Sequence, residues 1–294
     1  MLVLRHARGS WDLTERARVI GILNLTPDSF YDGGRYVDPA IAIERAEAMV
    51  AEGADAIDVG AQSTRPGGGP PLTADQEWDR LCPVLPELTR RLAIPVSVDT
   101  FRADVARRAL EEGAAMVNDV SGLTAEPSLA DQVARTDAAL VLMHALGAPD
   151  RMHAPREYDD PAGAVRDFLE ERLRFAIARG VPAERIALDP GIGFSKRAEQ
   201  SLAVLRGLPR LTALGRPVYI GLSRKSFLGH VTGRPAEERL AAGLGATVAA
   251  VLAGARIVRT HDVRATVDAL AAAAAVTQTE PGEAALAALA KTRG

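Results

Sequence analysis

The sequence predicts an α/β fold, a single-domain (β/α)8 barrel of the TIM type, on three observations. Short apolar runs alternate with amphipathic helical stretches from residue 19 onward. About eight such units follow one another in a chain of the length this barrel needs. Nearly every run stops on a polar residue, at the strand end where such barrels build their chemistry.

The first run, residues 19–25, is almost wholly apolar, as in a strand buried on both faces. It ends at Asn24 and gives way to Thr26-Pro27-Asp28-Ser29 and Asp32-Gly33-Gly34. Proline and paired glycines cannot continue a central strand, so residues 25–36 leave the core as a loop suited to an anion, a metal or both. Residues 56–60 (AIDVG) lead into Gln62-Ser63-Thr64-Arg65-Pro66 and a second Gly/Pro loop, 62–72, with a helix from about 75. A strand at 95–100 and a helix at 103–112 follow, then strands at 116–120 and 138–144. A long helix over 161–179 stops at Gly180, as helix ends favour. The last strands, 186–189, 218–222 and around 257–258, run into Pro190-Gly191-Ile192-Gly193-Phe194, Ser223-Arg224-Lys225 and Arg259-Thr260-His261-Asp262.

The barrel so drawn spans 18–278. Residues 1–17 are expected as a short hairpin capping its base, and the Ala-rich residues 279–294 as a tail, a helix frayed for want of anchors. The competing fold is a doubly wound open sheet. It needs fewer units and an early glycine fingerprint, whereas Gly191-Ile192-Gly193 comes late and lacks the third glycine.

Composition bounds the partners. With 294 residues, 47% hydrophobic and 25% charged, and a net charge of -3, the chain gives no reason to expect nucleic acid or membrane. The longest uncharged run, 240–255, is too short to span a bilayer and reads as a helix packed closely on a sheet. No export signal opens the chain, so a cytoplasmic location is expected. Cys82 is the sole cysteine, which excludes an intrachain disulfide and a thiolate cage; it is expected as a small buried hydrophobe. Lysine is rare, limited to Lys196, Lys225 and Lys291.

The strand-end residues are Asn24, Asp58, Thr64 with Arg65, Asp99, Asn118, His144, Asp189, Lys225, and Arg259 with His261. Each taken singly could be a helix cap. As a set converging on one mouth, caps explain them poorly. Arg259 and His261 alternate with Thr260, so on an extended segment both point one way and, with Asn24, suit a phosphate. Asp99, Asn118 and Asp189 suit a flat heterocycle with N–H donors along one edge, and Lys225 supplies the only cation near that edge. Ser226 begins the turn into a helix, and helix N-termini favour anions. No nucleophile elbow and no zinc-ligand spacing of the five histidines is present.

Asn24-Leu25-Thr26-Pro27-Asp28-Ser29-Phe30 with Asp32-Gly33-Gly34 resembles the first signature of the dihydropteroate synthases, and Asp58-Val59-Gly60 with Ser63-Thr64-Arg65-Pro66-Gly67 the second. Asp99-Thr100, Asn118-Asp119-Val120, Leu142-Met143-His144, Asp189 to Phe194, Ser223 to Ser226 and Arg259 to Asp262 match in order, so the resemblance covers about 18–275. It implies a pterin-binding barrel joining 6-hydroxymethyl-7,8-dihydropterin diphosphate to para-aminobenzoate, with Mg²⁺ as cofactor and a homodimer as the assembly.

By that resemblance Thr64, Asp99, Asn118, Met143, Asp189, Gly193 and Lys225 bind the pterin. Asn24 holds Mg²⁺ and, with Arg259, Thr260 and His261, the diphosphate. Phe30, Thr64, Pro66, Phe194 and Ser226 surround the para-aminobenzoate. Asp32, Arg65, Lys225, Arg259 and His261 are the catalytic set, Asp32 and Arg65 pairing across the two closing loops. The chain departs from the family pattern at Gln62, where Glu is frequent, at Gly67-Gly68-Gly69-Pro70, and at Ala145-Leu146-Gly147. Its rivals are a corrinoid-dependent methyltransferase barrel, a non-catalytic pterin-binding module and an unrelated phosphate-binding barrel enzyme. The first has no use for the Asn24 loop, and the second would be expected to have lost Asp32, Thr64 or Arg65.

Overall fold

The computed structural model describes residues 1–26, 38–62, 72–147 and 151–277. Ten strands are found there: β1 Val3–His6, β2 Gly9–Asp12, β3 Arg18–Asn24, β4 Ala56–Gly60, β5 Val96–Asp99, β6 Met116–Asp119, β7 Ala139–Met143, β8 Ile186–Asp189, β9 Val218–Gly221 and β10 Ala255–Thr260. Strands β3 to β10 pair in parallel and close on themselves, β10 lying between β9 and β3. The open doubly wound sheet is thereby excluded. Around the barrel run α1 Pro39–Ala51, α2 Ala74–Leu81, α3 Leu85–Arg91, α4 Ala103–Glu111, α5 Leu129–Ala134, α6 Pro161–Ala178, α7 Ala198–Arg206, α8 Leu208–Thr212, α9 Ser226–Thr232, α10 Leu240–Leu252 and α11 Val263–Thr277.

Local chemistry sets the helix ends. Asp38 caps α1 by accepting from the Ala40 amide, with Pro39 in the first turn where its missing N–H costs nothing. Thr73 and Gln76 form a reciprocal capping box on α2. Asp160 caps α6 with Pro161 behind it, and Gly180, at φ +95°, reverses the chain at the other end.

Strand residues alternate between two cores, because successive side chains point to opposite faces. Leu140, Leu142, Ile186, Leu188, Val218 and Ile220 pack outward under the helices. Their neighbours Ala139, Val141, Ala187, Tyr219 and Ile257 face the barrel axis with Ile20, Ala56 and Met116. The expected N-terminal hairpin is present, β1 against β2 in antiparallel register. It fills the base of the barrel with Leu4, Trp11 and Leu13, all buried in that inner core. Arg216 donates to Val3 O at 3.0 Å and Arg8 to Leu92 O at 2.8 Å, fastening the plug to the barrel floor.

Two expectations need correction. Cys82 is exposed rather than buried, because α2 ends at Leu81 and turns the residue after it outward. The uncharged run packs on the barrel through a narrow face only. Gly243, Thr247 and Ala250 of α10 are buried, while Leu240, Ala241, Gly245, Ala249 and Leu252 are exposed. No helix among the described residues is long and apolar enough to cross a membrane. The tail at 279–294 lies outside the described residues.

Candidate active site

The inward face that is largely apolar at the base becomes polar and mostly charged two residues later along the same strands. Ala56 is followed inward by Asp58, Met116 by Asn118, Ala187 by Asp189 and Ile257 by Arg259, and on β5 the small polar Ser97 by Asp99. Strand register sets these side by side, with Asp99 opposite Asn118 and Met143 opposite Asp189. The polar layer is thus a product of the pleat, repeated around the barrel.

Within it Arg259 is the hub. Its Nε donates to Asp58 Oδ2 at 2.6 Å and its Nη2 to Asp99 Oδ2 at 2.8 Å. Asn118 Nδ2 donates to the same Asp58 oxygen at 3.1 Å. Gly221, opposite Arg259 on β9, leaves the guanidinium stem room. Asp58 is fully buried and Asp99 nearly so. Two carboxylates share one guanidinium, which makes the layer electron-rich. Burial pushes the Asp99 carboxyl up to about 7 against the pull of Arg259, with Asp58 adding to the rise. Burial alone would lower the Arg259 pKa, but Asp58 and Asp99 outweigh it and hold the charge in place. Asp58 Oδ1, Asn118 Oδ1 and the Tyr219 hydroxyl are buried with no hydrogen-bond partner. Unmet acceptors in a native pocket mark where a donor-bearing ligand belongs.

Asp189 and Lys225 complete the layer. Burial raises the Asp189 carboxyl, opposed chiefly by Lys225, and burial lowers the Lys225 ammonium to about 8, opposed by Asp189. Asp189 accepts from the Gly191 amide at 2.7 Å, and Lys225 donates to Ile192 O. The Lys225 ammonium also stands 4.6 Å from the centre of the Phe194 ring, a cation–π contact. Above the polar layer Phe101, Val120, Met143, Ala145, Met152 and Phe194 form a small apolar cluster at the mouth. A flat ring with polar edges fits between such layers.

The structure brings Asp99, Asn118, Met143, Asp189, Gly193, Phe194, Lys225 and Arg259 together. Gly193 sits at φ +82°, a conformation that favours glycine, and lies against the Lys225 stem. Asn24 is half-buried at the tip of β3, and Ser226 is exposed as the first residue of α9. His261 lies just past β10, its Nδ1 3.1 Å from Ser223 Oγ. Three readings are corrected. Lys225 is not the only cation at the acidic edge, since Arg259 reaches it across the barrel. Thr260 turns outward, its hydroxyl bonded to Thr266 at 3.1 Å and to the Asp262 amide, so its side chain does not face the mouth. His144 also points outward, buried against the edge of Phe168.

Phe30, Asp32, Thr64, Arg65 and Pro66, with most of loops 25–36 and 62–72, lie outside the described residues, and so does the Asp32–Arg65 pair. The ends of the second loop are described. Gln62 Oε1 accepts from the Leu72 amide at 3.1 Å, Arg102 donates to Leu72 O, and Arg80 donates to Ala61 O at 2.9 Å. Gln62 therefore ties the two ends of the loop together, a bond that a carboxylate at the same position would also accept, and nothing in the structure explains the departure. Asp58 belongs to the site although the resemblance assigns it no role, and the two-residue step from Ala56 is the sequence signal that includes it.

The comparisons agree with this geometry. The pterin binding enzyme family model matches residues 20–261. The dihydropteroate synthase of Synechocystis sp. is 46% identical over 256 residues, which is 87% of this chain and 88% of that one. The structure of Xanthomonas albilineans dihydropteroate synthase with 4-aminobenzoic acid has TM-score 0.87 and 41% identity, covering 95% of this chain and 100% of the other. The same enzyme in complex with 7,8-dihydropteroate has TM-score 0.83 and 40% identity, over 94% and 100% of the two chains. By fold, by site and by sequence, the chain belongs to the pterin binding enzymes, among the dihydropteroate synthases.

Proposed function

We propose that the chain makes 7,8-dihydropteroate by a dissociative displacement, with its barrel mouth divided between pterin, diphosphate and arylamine. The observation that supports this best is the single inward layer of Asp58, Asp99, Asn118, Asp189, Lys225 and Arg259. Carboxylates and an amide oxygen receive the N–H groups along the pterin edge, and Lys225 donates to its ring carbonyl or nitrogen. Met143 and Gly193 supply apolar and backbone contact to the ring. Arg259, already tied to Asp58 and Asp99, lies with the pterin, and its charge opposes the negative charge that develops as pyrophosphate leaves. His261 adds a hydrogen-bonding group from the rim.

The Asn24 amide oxygen makes no hydrogen bond among the described residues, and a neutral oxygen at the rim is the donor type Mg²⁺ accepts alongside water and phosphate oxygens. Asn24 is therefore assigned to Mg²⁺, which when bound supplies positive charge to the leaving diphosphate. The dihydropterin, electron-rich and held against carboxylates, supports the methylene cation left behind. An arylamine is neutral at pH 7 and adds to it without a strong general base. Phe194 and Ser226 line its place, with Phe30, Thr64 and Pro66 from the loops. Asp32 and Arg65 are assigned to closing those loops.

The same proposal makes the enzyme a homodimer through α10. Its exposed stripe of Leu240, Ala241, Gly245, Ala249 and Leu252 is uncharged. Nothing among the described residues would meet a Cβ on Gly245, and a glycine in a helix interior costs about 1 kcal/mol relative to alanine, so close approach of a partner helix is a use for it. A free, exposed Cys82 suits the reducing cytoplasm. Incubation with the pterin diphosphate, para-aminobenzoate and Mg²⁺ should yield dihydropteroate and pyrophosphate. Failure to form it, or undiminished turnover after chelation of Mg²⁺, contradicts the respective part of the reading.

A further inference from the structure

Behind the mouth, residues 190–196 follow an unusual path. Gly191, Gly193 and Ser195 all have positive φ, at +62°, +82° and +54°. Ser195 is not glycine and adopts this conformation under strain. A Cβ on Gly191 would collide with the His144 carbonyl, so the loop lies hard against the end of β7. Ser195 is locked by its own bonds, its amide to Met152 O at 2.7 Å and its hydroxyl accepting from the Leu146 amide at 2.8 Å. The front of the loop presents Ile192 O to Lys225 and the Phe194 ring beneath the same ammonium.

At the back sits a second lysine. Lys196 is only 5% exposed, and its ammonium lies 3.0 Å from Gly191 O, 2.9 Å from Phe194 O and 2.8 Å from His144 Nδ1. In the charged form three donors meet three acceptors and no hydrogen is left over, although burial lowers the ammonium to about 7, opposed by Asp189. Burial, then the neighbouring Lys196 charge, holds the His144 imidazole neutral, near pKa 3, so its Nδ1 can accept. Burying an ammonium is costly, and an apolar side chain would fill the space more cheaply. What the ammonium does, and an apolar group could not, is tie the Gly191 and Phe194 carbonyls, on either side of Ile192-Gly193, to His144 just past β7.

We propose that Lys196 is a positioning residue for the arylamine half of the reaction, its ammonium clamping Gly191 O, Phe194 O and His144 so that the loop holds the Phe194 ring where para-aminobenzoate binds. This rests on the reading that Phe194 faces the arylamine. Lys196 does not touch substrate. It acts from behind, as Lys225 acts from the front.

Steady-state kinetics with both substrates, alongside calorimetry with a pterin lacking the diphosphate, test the clamp. Lys196→Met should raise the KM for para-aminobenzoate about tenfold or more, the loss of buried charge-assisted hydrogen bonds, while pterin affinity changes less than about threefold. Lys196→Gln, which keeps two N–H donors, should recover part of the loss. If Lys196→Met does not fold, His144→Phe removes one anchor and should shift the same KM in the same direction by less. A 4-fluorophenylalanine label, assigned through Phe194→Leu, should show the Phe194 resonance displaced in each of these variants. Unchanged KM and resonance, or equal loss of both substrates, overturns the clamp. Phe194→Ala separates the two readings. If it leaves the KM for para-aminobenzoate unchanged, the reading beneath the clamp fails and the clamp with it. If it raises that KM while Lys196→Met does not, only the clamp fails.

Discussion

The lower and upper halves of the barrel interior are built on the same strands and the same inward face, two residues apart. The lower half holds Ile20, Ala56, Met116, Ala187 and Ile257 under a hairpin that contributes Leu4, Trp11 and Leu13. The upper half holds Asp58, Asn118, Asp189 and Arg259. In the lower half, burial of each large side chain such as Ile20, Met116 or Ile257 stabilises the fold by roughly 1.5–3 kcal/mol. The upper half consists of buried charges that stabilise little net and leave acceptors unmet. The difference teaches where to look: stability resides below, recognition above, and a single pleat separates them.

The sharpest break of that division is Arg259→Ala. It strands the Asp58 carboxylate and removes the charge that opposes protonation of Asp99, and loss of one partner from such a cluster costs about 3–5 kcal/mol. Turnover should collapse and pterin affinity should fall as well, because the guanidinium sits with the pterin acids and not only with a diphosphate. Denaturant titration and calorimetry check both. A variant that keeps full stability would show that Arg259 is not the hub.

Leu13→Ala probes the lower half. Deleting a fully buried leucine from the plug should cost roughly 2–5 kcal/mol in unfolding free energy, with both KM values unaltered at a temperature where the variant is folded. A change in either KM would mean the plug shapes the mouth. Asp189→Asn is the converse test. An amide donor in place of an acceptor should weaken pterin binding by ~1.5–3 kcal/mol, and it also lowers unfolding free energy because Lys225 loses its buried counter-charge, so affinity is read on folded protein. Undiminished affinity would take Asp189 out of the site.

The sequence made the division legible where the period of two was clean. Asp99, Asn118, Asp189 and Arg259 could be placed at the mouth from strand ends alone. Which strand-end residues face outward was not legible. Asp119, His144 and Thr260 lie one residue from inward positions, and only closure of the barrel fixes the phase. Asp119 turns out to bond Ser121 and the Leu123 amide. The Arg259–Asp58 pair joins residues 201 apart, and no local pattern announces it. Lys196 stood out only as one of few lysines. Its partners are backbone carbonyls, which every residue has.

The central claim, that the charged layer receives the pterin edge, is tested most directly by proton release. With its pKa raised to about 7, Asp99 keeps a proton below neutrality in the free enzyme. The sign follows: a raised acid pKa contributes stability that is present below its unfolded value of about 4 and lost as pH rises through 7. Pterin N–H donors favour the carboxylate, so binding at pH 6.5 should expel a proton, and affinity should rise from pH 6 to 7.5. Lys225, near 8, is already charged there. Burial also raises Asp189 within the layer, and Glu77 and Asp119 act on Asp99 through their charges, so the difference between wild type and Asp99→Asn, not the total release, reads the Asp99 proton. Calorimetry of pterin binding in two buffers of different ionisation enthalpy counts the protons. The account predicts release by wild type, and less of it by Asp99→Asn. Equal release by both proteins, or none by wild type, would contradict it.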